Sequence, residues 1–304
     1  METHRLPGTT VLTLLLLCVL WGGNLAAIKI SARGVSPVAM AALRSLVAAA
    51  CLWGWMRLRG VPVAPDRRTL AHGVVVGLLF GVEFCCIYSG LRFTLASRGY
   101  VFLYTQPFFT ALGAHFLLRG DRLSPARVAG LLLAFFGVAV LFAGNWGETT
   151  AHTLPGDLLL LLGGALWGAT TLYIKRFLVH RAVALQTLFY QLAFSAPILV
   201  LLSLVLEDRM WLGGSGPVFA ALFYQCIVVA FLSYLVWFEL IHRHPVSLLA
   251  AFTFFTPVFG ALISGVAILG EPLTGTMMAS LALVTAGMFL VNRPGREAAR
   301  ADVP

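Results

Sequence analysis

From Thr9 to Asn292 the chain is a succession of apolar runs, each about the twenty residues that a helix needs to span a bilayer. Only short turns separate them. In lipid every backbone N–H and C=O must be bonded internally, which restricts such runs to helices. Charged residues are 11% of the 304, and mean hydropathy is +0.91. A water-soluble domain carries roughly twice that charged fraction. The missing polar shell has to be lipid.

Hydropathy and turn chemistry divide the chain into ten spans at 9–30, 36–57, 70–91, 97–118, 126–143, 156–177, 184–206, 216–240, 246–269 and 274–292. The breaks include "RGVSP", "RGDRLSP", "HRHP" and "GEPLTG", and no connection is long enough for an extramembrane domain. The first run is long and begins a series, so it reads as a span rather than a cleaved leader. All five cysteines lie in apolar runs and read as small buried side chains, not a disulfide framework.

The net charge is +9, but the arginines are scattered between apolar segments, which speaks against a nucleic-acid partner. Their distribution reads as topology. With the N-terminus in the cytoplasm, fifteen of the 21 Lys and Arg residues fall in the leader, in alternate connections and in the tail. Five (Lys29, Arg33, Arg92, Arg98, Arg209) fall on the other face, and Arg44 lies inside the second span. Both termini are expected to be cytoplasmic, in a plasma membrane. Arginine so far exceeds lysine that a GC-rich bacterial genome, and hence an inner membrane, is the expectation.

The chain also repeats itself. "WGGNLAAIK" (21–29) returns as "WGATTLYIK" (167–175). "TQPFFTALGAHFLLRGDRLS" (105–124) aligns with "FTPVFGALISGVAILGEPLT" (255–274), matching Pro107 to Pro257, Phe109 to Phe259 and Gly120 to Gly270, with Asp121 opposite Glu271. Gly137 and Gly287 continue the match. Each half holds five spans, an odd number, so the second half enters the membrane inverted. That is the arrangement of secondary transporters, with a substrate site near the midplane between the halves. The expected units are a first repeat at 9–143, a second, inverted repeat at 156–292 and a short cytoplasmic tail at 293–304. The fold expected is all-α and integral to the membrane.

"WGGN" in the first span, "TPVFGALISGVAILGEPL" in the ninth and the proline-to-Gly-Asp/Glu spacing of spans four and nine resemble the drug/metabolite transporter superfamily, especially its EamA-type members. The likeness covers about 9–292, with Asp121 where the family usually has glutamate. It implies solute transport, often export of amino acids or metabolites, from a basket of helices around a central cavity.

Glu83 is the most informative charge. An acid deep inside a span defaults to a functional reading, as a carrier of a coupling proton or a ligand for a substrate amine. The competing reading is a structural pair with Arg44 at the same depth. Pro107 and Pro257 each remove a helix hydrogen bond and crowd the carbonyl four residues back, so they read as paired hinges; membrane helices also tolerate proline without function. Trp21, Asn24, Trp167 and Thr170 occupy matched positions and are candidate cavity residues, against the alternative of close helix packing at Trp-Gly. Tyr88, Tyr104, Gln106, Gln191 and Thr256 are further cavity candidates. Glu239, His115, Lys29 and Lys175 lie near helix ends and are expected to snorkel. Asp121 and Glu271 are expected to cap the helix that follows each or to bond nearby backbone.

No GxxxxGK[ST] loop occurs, so direct ATP drive has no motif, and no metal or cofactor is expected. The expected partners are a small-molecule solute, the lipid bilayer and a proton as coupling ion, with oligomeric state open. An intramembrane enzyme needs a convergent acid, histidine or serine set, and a small-solute channel needs a polar pore. Both are weaker readings than a transporter.

Overall fold

The structure is a computed structural model that describes residues 6–90, 93–94, 101–143, 152–268 and 274–292. Arg5, Arg92, Arg98, the Gly270–Leu273 turn with Glu271, and the 293–304 tail lie outside the described residues.

The described chain is helical. In order, the helices are α1 (Gly8–Ser31), α2 (Pro37–Leu58), α3 (Arg67–Gly90), α4 (Gln106–Leu117), α5 (Pro125–Phe142), α6 (Leu154–Leu178), α7 (Ala184–Leu206) and α8 (Gly216–Arg243). α9 is interrupted, running Val246–Phe252, Phe255–Gly260 and then π-turns over Ala261–Ile268; α10 is Gly275–Val291. Eight segments, all but α4 and α10, are long and apolar enough to cross a membrane, among the described residues. The apolar runs make helices because nothing else satisfies the backbone in lipid. Their starts carry proline in the first turn of α2, α5, α6 and α8, where its missing N–H costs nothing. Ser124 Oγ accepts the Arg127 amide at the start of α5, and Thr274 Oγ1 accepts the Met277 amide at α10, both at 3.3 Å. At α3 the side chain of Asp66 accepts the Thr69 amide and hydroxyl at 2.8 and 2.6 Å, which holds its carboxyl below the usual carboxylate range.

The larger helix contacts run between the halves. α5 packs on α10, α2 on α7, and α4 on α9. α3 packs on α6 as α1 packs on α8, and α4 packs on α6 as α1 packs on α9. Exchanging each helix for the one five places on leaves this pattern unchanged, which is the two-repeat architecture expressed as packing. Glycine makes the closest crossings possible. A Cβ on Gly22 would stand 2.7 Å from the Gly260 nitrogen in α9. One on the matching Gly168 would stand 3.0 Å from Phe109 Cβ in α4. The packing reading of the Trp-Gly phrase therefore holds for its glycines, while its tryptophans turn the other way.

Connections gather on two faces in alternation. On one, Gln186 Nε2 donates to the Pro62 carbonyl at 2.8 Å and the Tyr190 hydroxyl to that of Val63 at 2.6 Å. On the other, residues 34–36 are strapped to 209–213. The Ser36 amide donates to Met210 O at 3.1 Å, the Leu212 amide donates to Gly34 O at 2.9 Å, and Val35 bridges Trp211.

Three end residues behave differently from the sequence expectation. Lys175 does not snorkel. Its ammonium donates to the carbonyls of Ile241, His242 and His244 at 2.6, 3.3 and 2.9 Å, closing the C-terminal end of α8 where the helix dipole favours a cation. Asp121 does not cap α5, the helix that follows it. Gly120, at φ +86, turns the chain back. The Asp121 carboxylate then accepts the Ser247 amide at 3.0 Å and the Ser247 hydroxyl, capping α9 of the other half, while pairing with Arg127 at 3.4 Å. His115 accepts the Leu123 amide at 3.2 Å instead of reaching lipid headgroups. Lys29 is exposed, and Glu239 pairs at the surface with Arg243 at 3.0 Å.

Candidate functional site

A cavity of about 260 Å³ lies between the halves, with wall residues from α1, α2, α3, α6, α7, α8, α9 and the 103–104 turn before α4. This is just under the ~300–1,000 Å³ of sites for drug-sized ligands, the scale of one small solute. Most of the wall is apolar and aromatic. Trp21 is held at its rim of rings: its indole donates to Ser233 Oγ at 2.9 Å, with Tyr234 and Trp237 edge-on at 6.0 and 5.3 Å. Its repeat partner Trp167 meets Tyr104 edge-on at 6.2 Å.

Two charges face this cavity. Arg44 from α2 is 5% exposed and Glu83 from α3 is 3% exposed. A charge at the centre of a membrane helix costs about 2.5–3.5 kcal/mol for arginine or aspartate on insertion scales, so contact pairing would be the cheap arrangement. It is not made. No ion pair joins them, and Glu83 Oε2 and the Arg44 Nε and Nη2 atoms have no hydrogen-bond partner. The guanidinium carbon lies over the rings of Phe84 and Tyr234 at 4.7 and 5.8 Å, so the charge is held by aromatic rings rather than by an acid. The structural-pair reading of Glu83 with Arg44 is thereby overturned in its contact form; the two share a cavity and feel each other through space. Asn24, 9% exposed on the same wall, has an unpartnered Oδ1.

This is a transporter-like architecture, and comparisons with known proteins say which. The profile of the EamA-like transporter family matches residues 8–143 and again 154–293. The chain belongs to the EamA-like transporter family. It is therefore a multi-pass membrane protein of a family of transporters, not of enzymes. A protein of Salmonella typhimurium described as "Probable amino-acid metabolite efflux pump" is 29% identical over 91% of this chain and 92% of its own length. One of Escherichia coli with the same description is 27% identical over 91% and 92%. An uncharacterized protein of Pseudomonas aeruginosa is 31% identical over 94% and 95%. A crystal structure of another protein superposes with a TM-score of 0.79 over 95% of this chain and 98% of that one at 23% identity, which shows a shared fold.

Of the residues singled out in this EamA-type sequence, Trp21, Asn24, Glu83, Tyr88, Tyr104, Trp167, Thr170, Thr256, Pro257 and Gln191 are in the cavity wall. Thr170 donates its hydroxyl to Leu166 O at 2.8 Å in its own helix, leaving only acceptor capacity for a solute. Gln106 is a correction. It is fully buried outside the wall, and its amide donates to Thr110 Oγ1 at 2.8 Å, because the helix restart at α4 turns it into the packing. Pro107 is also off the wall, whereas Pro257 is on it. Each proline follows a break in its helix by two or three residues, at Tyr104–Thr105 and Thr253–Phe254, so the chain restarts instead of bending around the ring. The aromatic side of α8 was missed: Tyr234, Trp237, Phe238 and Ile241 all face the cavity. Their spacing, three, four and seven residues on, is the signal of a single helix face that finds them. Among the described residues no acid, histidine or cysteine cluster could hold a metal.

Proposed function

We propose that the protein is a secondary active exporter of a small organic solute, an amino acid or a closely related metabolite, working by alternating access in the plasma membrane with both termini cytoplasmic. The observation that carries this reading is the cavity itself: one chamber built by both halves, apolar in most of its wall, with Asn24, Arg44 and Glu83 among its polar lining residues. The descriptions of the Salmonella and Escherichia coli relatives support amino-acid metabolites and efflux. The excess of arginine on one set of loops supports the orientation, and the duplicated motifs support a second half inverted on the first. A proton is the coupling ion of choice, because Glu83 is a carboxylate in the cavity with no cation in contact. Tyr88 lines both this chamber and a recess of about 480 Å³ beside Glu207, which supports a route towards the strapped face.

Purified protein in proteoliposomes, loaded with a panel of labelled amino acids, amines, organic acids and sugars, is expected to move at least one class uphill when a pH gradient is imposed. No uphill movement of any class under any ion gradient sinks the reading. If the helix breaks before the prolines work as hinges, Pro107→Ala and Pro257→Ala slow turnover by roughly tenfold, about 1.4 kcal/mol on the barrier, with little change in equilibrium binding. Weakened binding at unchanged turnover would assign them to the wall instead.

A further inference from the structure

α8 is not wound evenly. It begins and ends as a regular α-helix, over Gly216–Phe223 and Tyr234–Arg243, and between them Tyr224–Ser233 is wound wide, with amides reaching five residues back. In a regular helix the Val229 carbonyl accepts the Ser233 amide. Here it accepts the Tyr234 amide instead, together with the Ser233 hydroxyl at 2.6 Å. The same hydroxyl oxygen accepts the Trp21 indole N–H at 2.9 Å, and Ser233 is only 2% exposed. A serine that donates to the carbonyl four residues back competes with the backbone for that acceptor and bends helices. The start of the wide stretch is tied to α1 as well: the Tyr224 hydroxyl donates to the Leu20 carbonyl at 2.9 Å, and Gln225 Nε2 donates to Ser31 Oγ at 2.7 Å. Among the described residues, wide turns occur in α6, α8 and α9 of the second half, while their counterparts α1, α3 and α4 are regular throughout. The reserve of winding is held in one half of the chain.

We propose that Ser233 is a positioning residue for the cavity wall: by linking the Trp21 indole to the Val229 carbonyl it keeps α8 wound wide, and a solute that moves the indole releases α8 to rewind. This rests on the transporter reading above and names the element that senses occupancy. The consequence is geometric. Tyr234, Trp237, Phe238 and Ile241 follow the wide stretch and line the cavity. Taking one residue out of the winding turns everything beyond it by about 100° around the helix axis, which carries that face off the chamber. Trp21 is placed to trigger the change. It lines the cavity, is half-buried, and meets Tyr234 and Trp237 edge-on at 6.0 and 5.3 Å. An indole has a single donor, so moving the ring breaks its bond to Ser233 and offers no other in its place. Without that partner the Ser233 hydroxyl is free to leave the Val229 carbonyl, and the α-turn can close on it. Val229 is itself a wall residue, so the relay from Trp21 through Ser233 runs along the chamber.

The test is fluorine NMR of the full-length protein in detergent, with 5-fluorotryptophan at all seven tryptophans and the Trp237 signal assigned from Trp237→Phe. Wild-type protein is expected to give one Trp237 signal. Ser233→Ala removes the bridge, and a second Trp237 signal is expected, from a state populated about tenfold more than in wild type, the order of effect that one hydrogen bond supplies. Ser233→Thr keeps a hydroxyl and is expected to restore the single signal. Trp21→Phe keeps a ring in the wall but loses the donor, so it is expected to split Trp237 as Ser233→Ala does, and the double variant to add nothing further. A serine that only fills space shifts the Trp237 line without splitting it. One Trp237 signal in both Ser233→Ala and Trp21→Phe overturns the proposal, and so does a threonine variant that splits as alanine does. If Ser233→Ala fails to fold, Trp21→Phe decides. In the proteoliposome assay above, Ser233→Ala is expected to slow turnover about tenfold for each solute class that wild-type protein moves, with half-saturation within about twofold of wild type. Unchanged turnover overturns the coupling to transport. If wild-type protein moves no class, the transporter reading falls, and the fluorine signals still decide whether Ser233 sets the winding.

Discussion

Gly287→Leu is expected to cost the protein its fold. Gly287 in α10 faces Gly130 in α5 so closely that a Cβ would stand 2.6 Å from both the Gly130 carbonyl oxygen and the Ala134 nitrogen. The obstruction is backbone on the facing helix, not the tip of a flexible side chain, so the helices themselves would have to separate. Overpacking a core usually costs ~1–3 kcal/mol, and this crossing belongs at or beyond the top of that range. Without a hydrophobic force between helices in lipid, close packing is most of what holds such a pair together. Gly287→Ala meets the same atoms with a smaller group and should lose less. Gly54→Ala is the control. Gly54 lies inside α2 with nothing within 4 Å of its missing Cβ, and alanine there gains up to about 1 kcal/mol of helix propensity. Thermal unfolding in detergent, followed by loss of the monodisperse peak, reads the difference. Wild-type behaviour of Gly287→Leu would mean that the α5–α10 crossing is looser than described.

Asp121→Ala should be the most damaging change to a polar residue outside the cavity. Its carboxylate holds the Ser247 amide and hydroxyl and pairs with Arg127, and the side chain is only 5% exposed. Removing it leaves the guanidinium, 16% exposed, without its counter-charge and with the Arg122 carbonyl as an acceptor at 2.8 Å, and it uncaps α9. Loss of a cap costs about 1 kcal/mol, and breaking a buried ion pair costs about 3–5 kcal/mol. The Arg127 exposure places the total near the lower end of the ion-pair range, about 3 kcal/mol. Asp121→Asn keeps an acceptor for Ser247 and loses the charge, so it should fall between wild type and alanine. If alanine and asparagine melt together with wild type, the cap is not a tie between the halves.

The spans and the repeat were legible because both are written locally. A run of apolar residues has one stable form in lipid, and matched Pro, Gly and Trp positions survive as letters. Glu83 and Arg44 were likewise visible as charges out of place. What could not be read was direction across long separations. Asp121 was recognisable as a capping acid, but its helix begins at Val246, in the other half of the chain. Lys175 looked like an interface lysine because nothing near it in sequence says that the end of α8 is beside it. Gln106 failed for a different reason: its facing depends on where α4 restarts, and a one-residue difference there rotates a side chain by about 100° around the helix. The opposite error occurred in α8, where the apolar content of "YLVWFELI" concealed a cavity face behind what reads as lipid contact.

The packing between halves bears on how the protein is made. α5 finishes long before its main partner, α10, exists, and α1, α2, α3 and α4 likewise take most of their contacts from helices synthesised later. The first half therefore has little core of its own to complete on leaving the ribosome. Its helices have to wait in the bilayer, individually stable but unassembled, until the second half threads among them. Assembly is closed by the last helix to arrive, and a chain stopped short of Gly275 leaves α5 with its glycine face turned to lipid.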